Sequence, residues 1–310
     1  MSNILIIKLG SLGDLIQANG AMEDIKNTHK NSKILLLTTI NYLDLMSQCP
    51  YIDGVLIDKR LPRWNLFYLI NLKRLLDKYN FTHIYDLQNS SRTKFYQKFL
   101  LKNQSWSSTH TTLEIGQSKK DFDQSPVLKR MQIQLEKSGI NIMHLKKPNL
   151  SWAFVNIDRL LKQFTSGEYV LIFPFCSKKH LKKRWPHYKI LVNKIKQLYN
   201  NRYAVLVAPG PGEIEEANKL NAKVVLENNE PINLNILISL VENSKFIISN
   251  DTGPAHICSH LNKNGLVLFG SHTSADKVSI ESQNFKVLTS NNLAELEVID
   301  VLKEIKKKLN

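Results

Sequence analysis

Cysteine is nearly absent: Cys49, Cys176 and Cys258 stand far apart, with no CxxC pair. That excludes a disulfide framework and a cysteine zinc site, and a reducing compartment is expected. Glycine and proline number only 12 and 10 in 310 residues, below the usual shares of about 7% and 5%. Long flexible linkers are therefore not expected, and the few glycines become informative. No run reaches about 18 uncharged apolar residues, so no transmembrane helix is expected. The opening MSNILIIKLGSLGD is apolar only briefly before Lys8. It lacks the basic and extended apolar regions of a secretory signal, and a cytoplasmic location is expected.

Hydrophobic residues make up 43% and charged residues 22% of the chain, the values of a globular protein. The length suits two domains at about 150 residues each. Lys and Arg outnumber Asp and Glu by 42 to 27, a net charge of +15. That balance favours nucleic acid, phosphorylated substrates or an anionic membrane surface without choosing among them. A Lys-, Asn- and Ile-rich proteome would produce the same excess.

Short runs rich in Ile, Leu and Val predict strands at 3–8, 33–39, 54–58, 82–87, 169–174, 203–208, 223–226, 246–249, 265–269 and 285–288. Uninterrupted apolar runs are the mark of parallel strands covered on both faces. Helical periodicity predicts helices at 14–26, 66–79, 93–102, 129–138, 188–199, 213–221, 234–242 and 293–309. Leu66, Leu69, Ile70, Leu72, Leu75 and Leu76 form an apolar stripe at helical spacing. The alternation means α/β layers with right-handed crossovers. It lapses in the polar stretch after Lys102 and resumes near Tyr169. Domains of 1–150 and 151–310 are expected, with the break at Lys146-Lys147-Pro148.

Five stretches carry candidate chemistry. In IIKLGSLGDLIQA, a strand ends at Lys8, Gly10 and Gly13 frame a turn, and Asp14 falls in the first helical turn. A helix start after a strand is an anion-ready place, although an acid there is also favourable merely as a helix-dipole partner. The glycines match only the second half of a dinucleotide fingerprint. In SNDTGPAHICSHL, Asp251 or Thr252 can cap, Pro254 suits the first turn, Gly253 lets a ligand approach, and His256 lies early on the helix. Simple capping with a surface histidine is the plainer alternative.

In FCSKKHLKKRWPHYKI, five of residues 178–184 are Lys or Arg, directly after a strand. A lysine placed there can neutralise phosphate, while most charge runs are only solvated loops. In APGPGEIEEANKL, Glu213, Glu215 and Glu216 open a helix. Any of them suits the dipole, or one accepts from a ribose diol, with Glu213 best placed. In IYDLQNSSRTKFYQ, Asp86, Gln88, Asn89, Ser90 and Arg92 cluster after a strand. They could hold an acceptor's hydroxyl and acidic groups, or form an ordinary polar turn.

Taken together, IIKLGSLGDLIQANGA, FPFCSKKHLKKRWP, the PGPGE turn and SNDTGPAHICSHL resemble, in order and spacing, the bacterial ADP-heptose:lipopolysaccharide heptosyltransferases of glycosyltransferase family 9. The resemblance is strongest at 3–21 and 246–270 and loose at 103–165. It implies the α/β GT-B architecture, two Rossmann-like domains with parallel sheets facing across a cleft. The first would bind acceptor and the second the nucleotide sugar, with the last helix, about 293–309, packing back toward the first. It implies an inverting, metal-independent transfer with no cofactor beyond a nucleotide-sugar donor, ADP-linked.

By the same resemblance, Asp14 matches the catalytic base and Lys8 a lysine supporting it. Lys183 matches a phosphate-contacting lysine and Glu213 the ribose acid, with Glu215 and Glu216 as nearby alternatives. Asp251, Thr252, Gly253 and His256 match the nucleotide-diphosphate segment. Ser11, Gln88 and Arg92 are the candidate acceptor contacts. The implied acceptor is a phosphorylated glycolipid, which would bring the enzyme to the anionic inner face of the inner membrane. Two departures stand out: Gly270-Ser271-His272-Thr273 replaces a Gly-Pro-Thr-type turn, and Pro209 replaces the first of a glycine pair. The rivals are a same-fold transferase with another donor or acceptor, a basic nucleic-acid-binding protein and an NAD-dependent oxidoreductase. Nucleic acid is not expected as a partner, because aromatics are 8% and do not interleave with the basic residues.

Overall fold

The computed structural model describes residues 2–309. The chain divides into two compact units, one ending at Trp152 and the other beginning at Ala153.

The first unit runs β1 (Asn3–Ile7), α1 (Leu12–Gln17), α2 (Asn19–Thr28), β2 (Lys33–Thr38), β3 (Gly54–Ile57), α3 (Leu66–Asp77), β4 (Phe81–Asp86), α4 (Ser91–Phe99), β5 (Ser105–Ser107) and α5 (Val127–Lys137), with short helical turns between. Its sheet is parallel, in the order β3-β2-β1-β4-β5. Ile4, Leu5, Ile6 and Ile7 of β1 are all buried, covered on both faces, which is why the run reads as continuously apolar. Leu5 and Ile7 share a core with Leu35, Leu37, Leu72, Leu76 and Trp106.

The chain lays β2 and β3 on one side of β1 and then returns on the other with β4. This reversal leaves the carboxyl ends of β1 and β4 side by side, Ile7 opposite Asp86. Open α/β sheets bind ligands at such a switch point.

Three local features differ from the sequence pattern. The single helix expected over 14–26 is two, α1 and α2, divided at Ala18, whose N–H is shared between the carbonyls of Asp14 and Leu15. Beyond the division, Gly20 lies hard against the chain at 144–145. An added Cβ would sit 2.8 Å from Leu145 Cα and closer still to the His144 carbonyl oxygen. Buried Asp24 secures that chain by accepting from the N–H groups of Met143, His144 and Leu145. The polar stretch after Lys102 contains β5, an edge strand whose one large apolar side chain, Trp106, is buried. The stripe on α3 also splits. Leu69, Leu72 and Leu76 are buried, whereas Leu66 and Ile70 face outward with Phe67.

The second unit runs β6 (Tyr169–Phe173), α6 (Tyr188–Leu198), β7 (Ala204–Val207), β8 (Lys223–Val224), α7 (Leu234–Glu242), β9 (Phe246–Asn250), α8 (Gly253–His260), β10 (Gly265–Phe269), β11 (Phe285–Thr289) and α9 (Val298–Lys306). Its main sheet is parallel in the order β11-β10-β9-β6-β7-β8. The run expected at 223–226 is cut short, because Leu226–Glu227 pairs instead with Glu230–Pro231 in a small antiparallel ladder. Here the switch point lies between β6 and β9. It brings the loop after Phe173 beside the segment after Asn250.

The expected last helix begins later, at Val298. Val301, Leu302 and Ile305 enter the same core as Trp185, Leu191 and Ile248. The Leu309 carbonyl accepts from Tyr199 Oη at 2.7 Å. Among the described residues no helix is long and apolar enough to cross a membrane.

Candidate active site

Two clusters gather the singled-out residues, one at each switch point. In the first unit, α1 starts directly after the Gly10 turn. Gly10 adopts φ +109°, and a Cβ there would lie 2.8 Å from the Tyr42 ring, so the turn needs glycine on both counts. The Asp14 carboxylate accepts from Ser11 N at 2.8 Å and Ser11 Oγ at 3.0 Å. The first-turn acid is thus tied to its own helix start. A cavity of about 450 Å³ opens beside this turn, lined by Gly10, Ser11, Tyr42, Asp58 and Arg60 among others. Burial and the nearby Asp14 charge raise the Tyr42 phenol pKa.

Lys8 is buried, and its Nζ donates to the Leu87 carbonyl at 2.8 Å. Burial lowers the Lys8 pKa, opposed by the charges of Asp14 and Asp86. Asp86, from the polar cluster at the end of β4, is itself buried. Burial pushes its carboxyl up to about 6, opposed by hydrogen bonds from Thr93, Asn89 N and Gln88 N and by the Lys8 charge. The Lys8 cation thus lies within electrostatic reach of both carboxylates, Asp14 and Asp86.

Gln88 Oε1 accepts from Leu9 N at 2.8 Å, steadying the turn. Arg92 donates to Tyr96 Oη at 3.0 Å and to the carbonyls of Arg60 and Leu61. Tyr96 Oη in turn donates to buried Asp58 at 2.7 Å. Ser11, Gln88 and Arg92 therefore all bond within the protein at this end of the sheet.

In the second unit, Lys183 closes a short basic turn, Lys178–Lys183, that follows β6. Trp185, just beyond it, is held by burial and by its Nε1–H donating to the Leu296 carbonyl at 2.9 Å. Asn250, at the end of β9, accepts from Trp185 N and donates to the Pro174 carbonyl. It ties the two loops together. Lys183 Nζ then reaches Asp251 Oδ2 at 2.6 Å, and His272 Nε2 lies 2.8 Å from the same oxygen.

Burial works to raise the Asp251 pKa, but Lys183, with His272 and the His256 charge, outweighs it and holds the carboxyl below its usual range. His272 stacks on Phe269. A cavity of about 520 Å³ is lined by the basic turn, His272 and Thr273. Thr252 is the N-cap of α8 in extended conformation, with Pro254 in the first turn. The backbone amides of that turn face no capping side chain from Thr252, whose hydroxyl donates back to the Asn250 carbonyl.

Glu213 is half-buried and accepts from Gly210 N at 2.7 Å. Burial raises its pKa. Glu215 pairs with Lys219 and Glu216 with Arg184, both on the exposed side. Of the three acids, only Glu213 is turned onto the Gly-Pro-Gly turn after β7.

In the sequence His272 stands out only as part of a departing turn. Its signal is the position two residues past the glycine that follows β10. Asp58 and Tyr42 carry no local signal, because their roles arise from packing. Among the described residues no group of three or more His, Cys, Asp or Glu is placed to hold a metal ion.

The sequence model of glycosyltransferase family 9 (heptosyltransferase) matches residues 69–305. The match takes in Lys183, Glu213 and residues 251–256, and leaves Lys8, Ser11 and Asp14 outside. Among curated proteins none matches the chain in sequence. Solved structures do match over nearly full length. E. coli heptosyltransferase WaaC with ADP is 17% identical, with 99% of each chain covered and a TM-score of 0.74. E. coli ADP-heptose LPS heptosyltransferase II is 18% identical, covering 100% of this chain and 98% of that one, at TM-score 0.75. A family 9 glycosyl transferase from Veillonella parvula is 15% identical, covering 99% and 97%, at TM-score 0.77. At these identities the likeness shows the fold, α/β of the GT-B class.

Proposed function

The chain belongs to glycosyltransferase family 9 and is a glycosyltransferase; from that premise we propose that it moves heptose from ADP-heptose onto a phosphorylated glycolipid of the lipopolysaccharide core. In this reading the first unit binds the acceptor and the second the nucleotide sugar. The observation that carries it is the meeting of Lys183 with Asp251 at the second unit's switch point, beside the α8 N-terminus. Cations and helix-start amides converging in one place suit a diphosphate. One solved relative, E. coli WaaC, is described in one structure with ADP and in another with ADP-2-deoxy-2-fluoro heptose, which favours an adenosine diphosphate donor.

The reaction is a single inverting displacement. Asp14 takes the proton of the acceptor hydroxyl, whose oxygen forms a bond to the anomeric carbon. The bond from that carbon to the diphosphate oxygen breaks, and the electron pair leaves with ADP. Lys8, buried within electrostatic reach of Asp14, supports the base. Lys183 and the Thr252–Gly253 amides stabilise charge on the leaving diphosphate, while Asp251 and His272 hold the lysine's position. His256 lies close enough to Asp251 to lower its pKa, and it supports the same cradle. Glu213 receives the ribose hydroxyls. Ser11, Gln88 and Arg92 border the acceptor. A lipid-borne acceptor would draw the enzyme to the cytoplasmic face of an anionic membrane.

The deciding experiment incubates the protein with ADP-heptose and heptose-deficient lipopolysaccharide core and follows the acceptor's mass. A mass increase of one heptose, with ADP released, is expected. Stabilisation by ADP-, UDP-, GDP- or CMP-sugars in a thermal-shift series identifies the donor. Selection of a non-adenine donor would favour a same-fold transferase of other specificity, with the His272 turn as the differing part.

A further inference from the structure

We propose that the first unit docks on an anionic lipid bilayer through the loop at 59–65 and the outward face of α3. The proposal deepens the functional reading, since a glycolipid acceptor lies in such a bilayer, but it stands on separate observations. Trp64 is 81% exposed, Phe67 77%, Leu66 70% and Ile70 50%. They fall within seven positions of one another, where soluble proteins usually scatter exposed apolar side chains singly. Lys59, Arg60, Arg63, Lys73 and Arg74 flank them, all exposed, and residues 59–74 contain no acid at all. The nearest acid along α3 is Asp77, which pairs with Lys73 at the far end of the patch.

An apolar helix face with tryptophan at one end and cations around it is the composition of an element lying in a membrane interface. Each such cation adds attraction to anionic headgroups. A second copy of the chain is a poor occupant, because a two-fold contact would oppose one basic rim with another. Nucleic acid is a poor one too, since only Trp64 and Phe67 offer rings and the aliphatic Leu66 and Ile70 share the same exposed face, whereas a strand of bases favours successive stacking platforms.

The face is prepared rather than loose. Asn65 Oδ1 caps α3 by accepting from Tyr68 N at 2.9 Å. Arg92 holds the carbonyls of Arg60 and Leu61. The Arg63 guanidinium lies over the Phe95 ring. Lys59 and Arg60 also line the cavity beside Gly10 and Ser11, so the docking face is continuous with the candidate acceptor cavity. A headgroup-anchored sugar would reach that cavity without leaving the surface.

The test mixes the full-length protein with sedimenting vesicles of phosphatidylglycerol and phosphatidylcholine in equal parts, or of phosphatidylcholine alone. Pelleting with the anionic vesicles is expected, falling about tenfold or more with neutral ones and with rising salt. The pair Trp64→Ser and Phe67→Ser should lose about tenfold in partitioning while keeping the wild-type melting temperature.

The emission of the wild-type protein should shift to the blue on vesicle binding. That shift should vanish in Trp64→Phe, which keeps its partitioning, because Trp106 and Trp185 are already buried and Trp152 is partly so. Unchanged pelleting of the double variant, equal pelleting on neutral lipid, or a solution dimer that the double variant dissociates would each overturn the proposal. The vesicles contain neither sugar nucleotide nor acceptor. Failure of transfer to a water-soluble, delipidated core would instead sink the functional reading and leave docking standing.

Discussion

Lys183 and Asp251 lie 68 positions apart in the chain, and Nζ of the first sits 2.6 Å from Oδ2 of the second. The aspartate is 3% exposed, so the pair is screened little by solvent. The carboxylate keeps the lysine beside the start of α8 instead of loose in water. In the proposed function, a donor diphosphate would meet an oriented cation, whose ordering cost is already met by the fold.

Lys183→Ala should therefore weaken both nucleotide binding and turnover. Removal of one preorganised donor is typically worth about 2.7–4 kcal/mol, or about 10²–10³-fold in rate. Calorimetric titration with ADP alongside kcat/KM measures the two losses. Normal ADP affinity in the variant would take Lys183 out of the cradle.

Asp14→Asn should behave differently. The amide oxygen still accepts from Ser11, so α1 starts as before, but it cannot take a proton. Turnover should fall by about 10²–10⁴-fold, the usual contribution of a general base, with ADP affinity unchanged. Equal loss of ADP affinity would contradict the assignment of the base.

Asp86 sets a pH dependence of stability. Its carboxyl is raised to about 6 in the folded protein, against about 3.9 when exposed. Between those values the folded state holds the proton more tightly than the unfolded state does. This contribution to stability is present below about 4 and lost as pH rises to about 6. Its full size is on the order of 3 kcal/mol. Urea unfolding at pH steps from 4 to 7 should show the wild type losing stability relative to Asp86→Asn across that window. Parallel curves would show that the carboxyl titrates normally.

Gly20→Ala places a methyl group against the His144 carbonyl and 2.8 Å from Leu145 Cα, both backbone atoms. The segment anchored by Asp24 must then move. A loss of about 1–3 kcal/mol is expected, as for other overpacking changes. Chemical denaturation reads it directly. A neutral effect would mean that 143–145 shifts freely despite its hydrogen bonds to Asp24.

Much of the architecture was legible because buried parallel strands must be apolar on both faces. The runs at 4–7, 34–37 and 265–269 announce themselves for that reason. β5 does not, since an edge strand needs only Trp106 to bury. The α3 stripe reads as one core-facing surface, yet two of its six members, Leu66 and Ile70, face outward. Period alone shows that residues share a side of a helix. It does not show how wide a stripe the core covers.

The candidate site divides in the same way. Glycine, proline and charge placed at strand ends marked the turn before Asp14, the basic run 178–184, the turn before Glu213 and residues 251–256, because backbone turns and helix starts are local events, whereas Lys8 and Lys183 were singled out within them by the family resemblance. Which of them meet was decided only in three dimensions. The reversal of strand order set Asp86 beside Ile7 and brought the basic turn to Asp251, and the fold of the turn after β10 added His272. Such partnerships join residues tens of positions apart through sheet order and close packing, and no local pattern encodes a contact of that range.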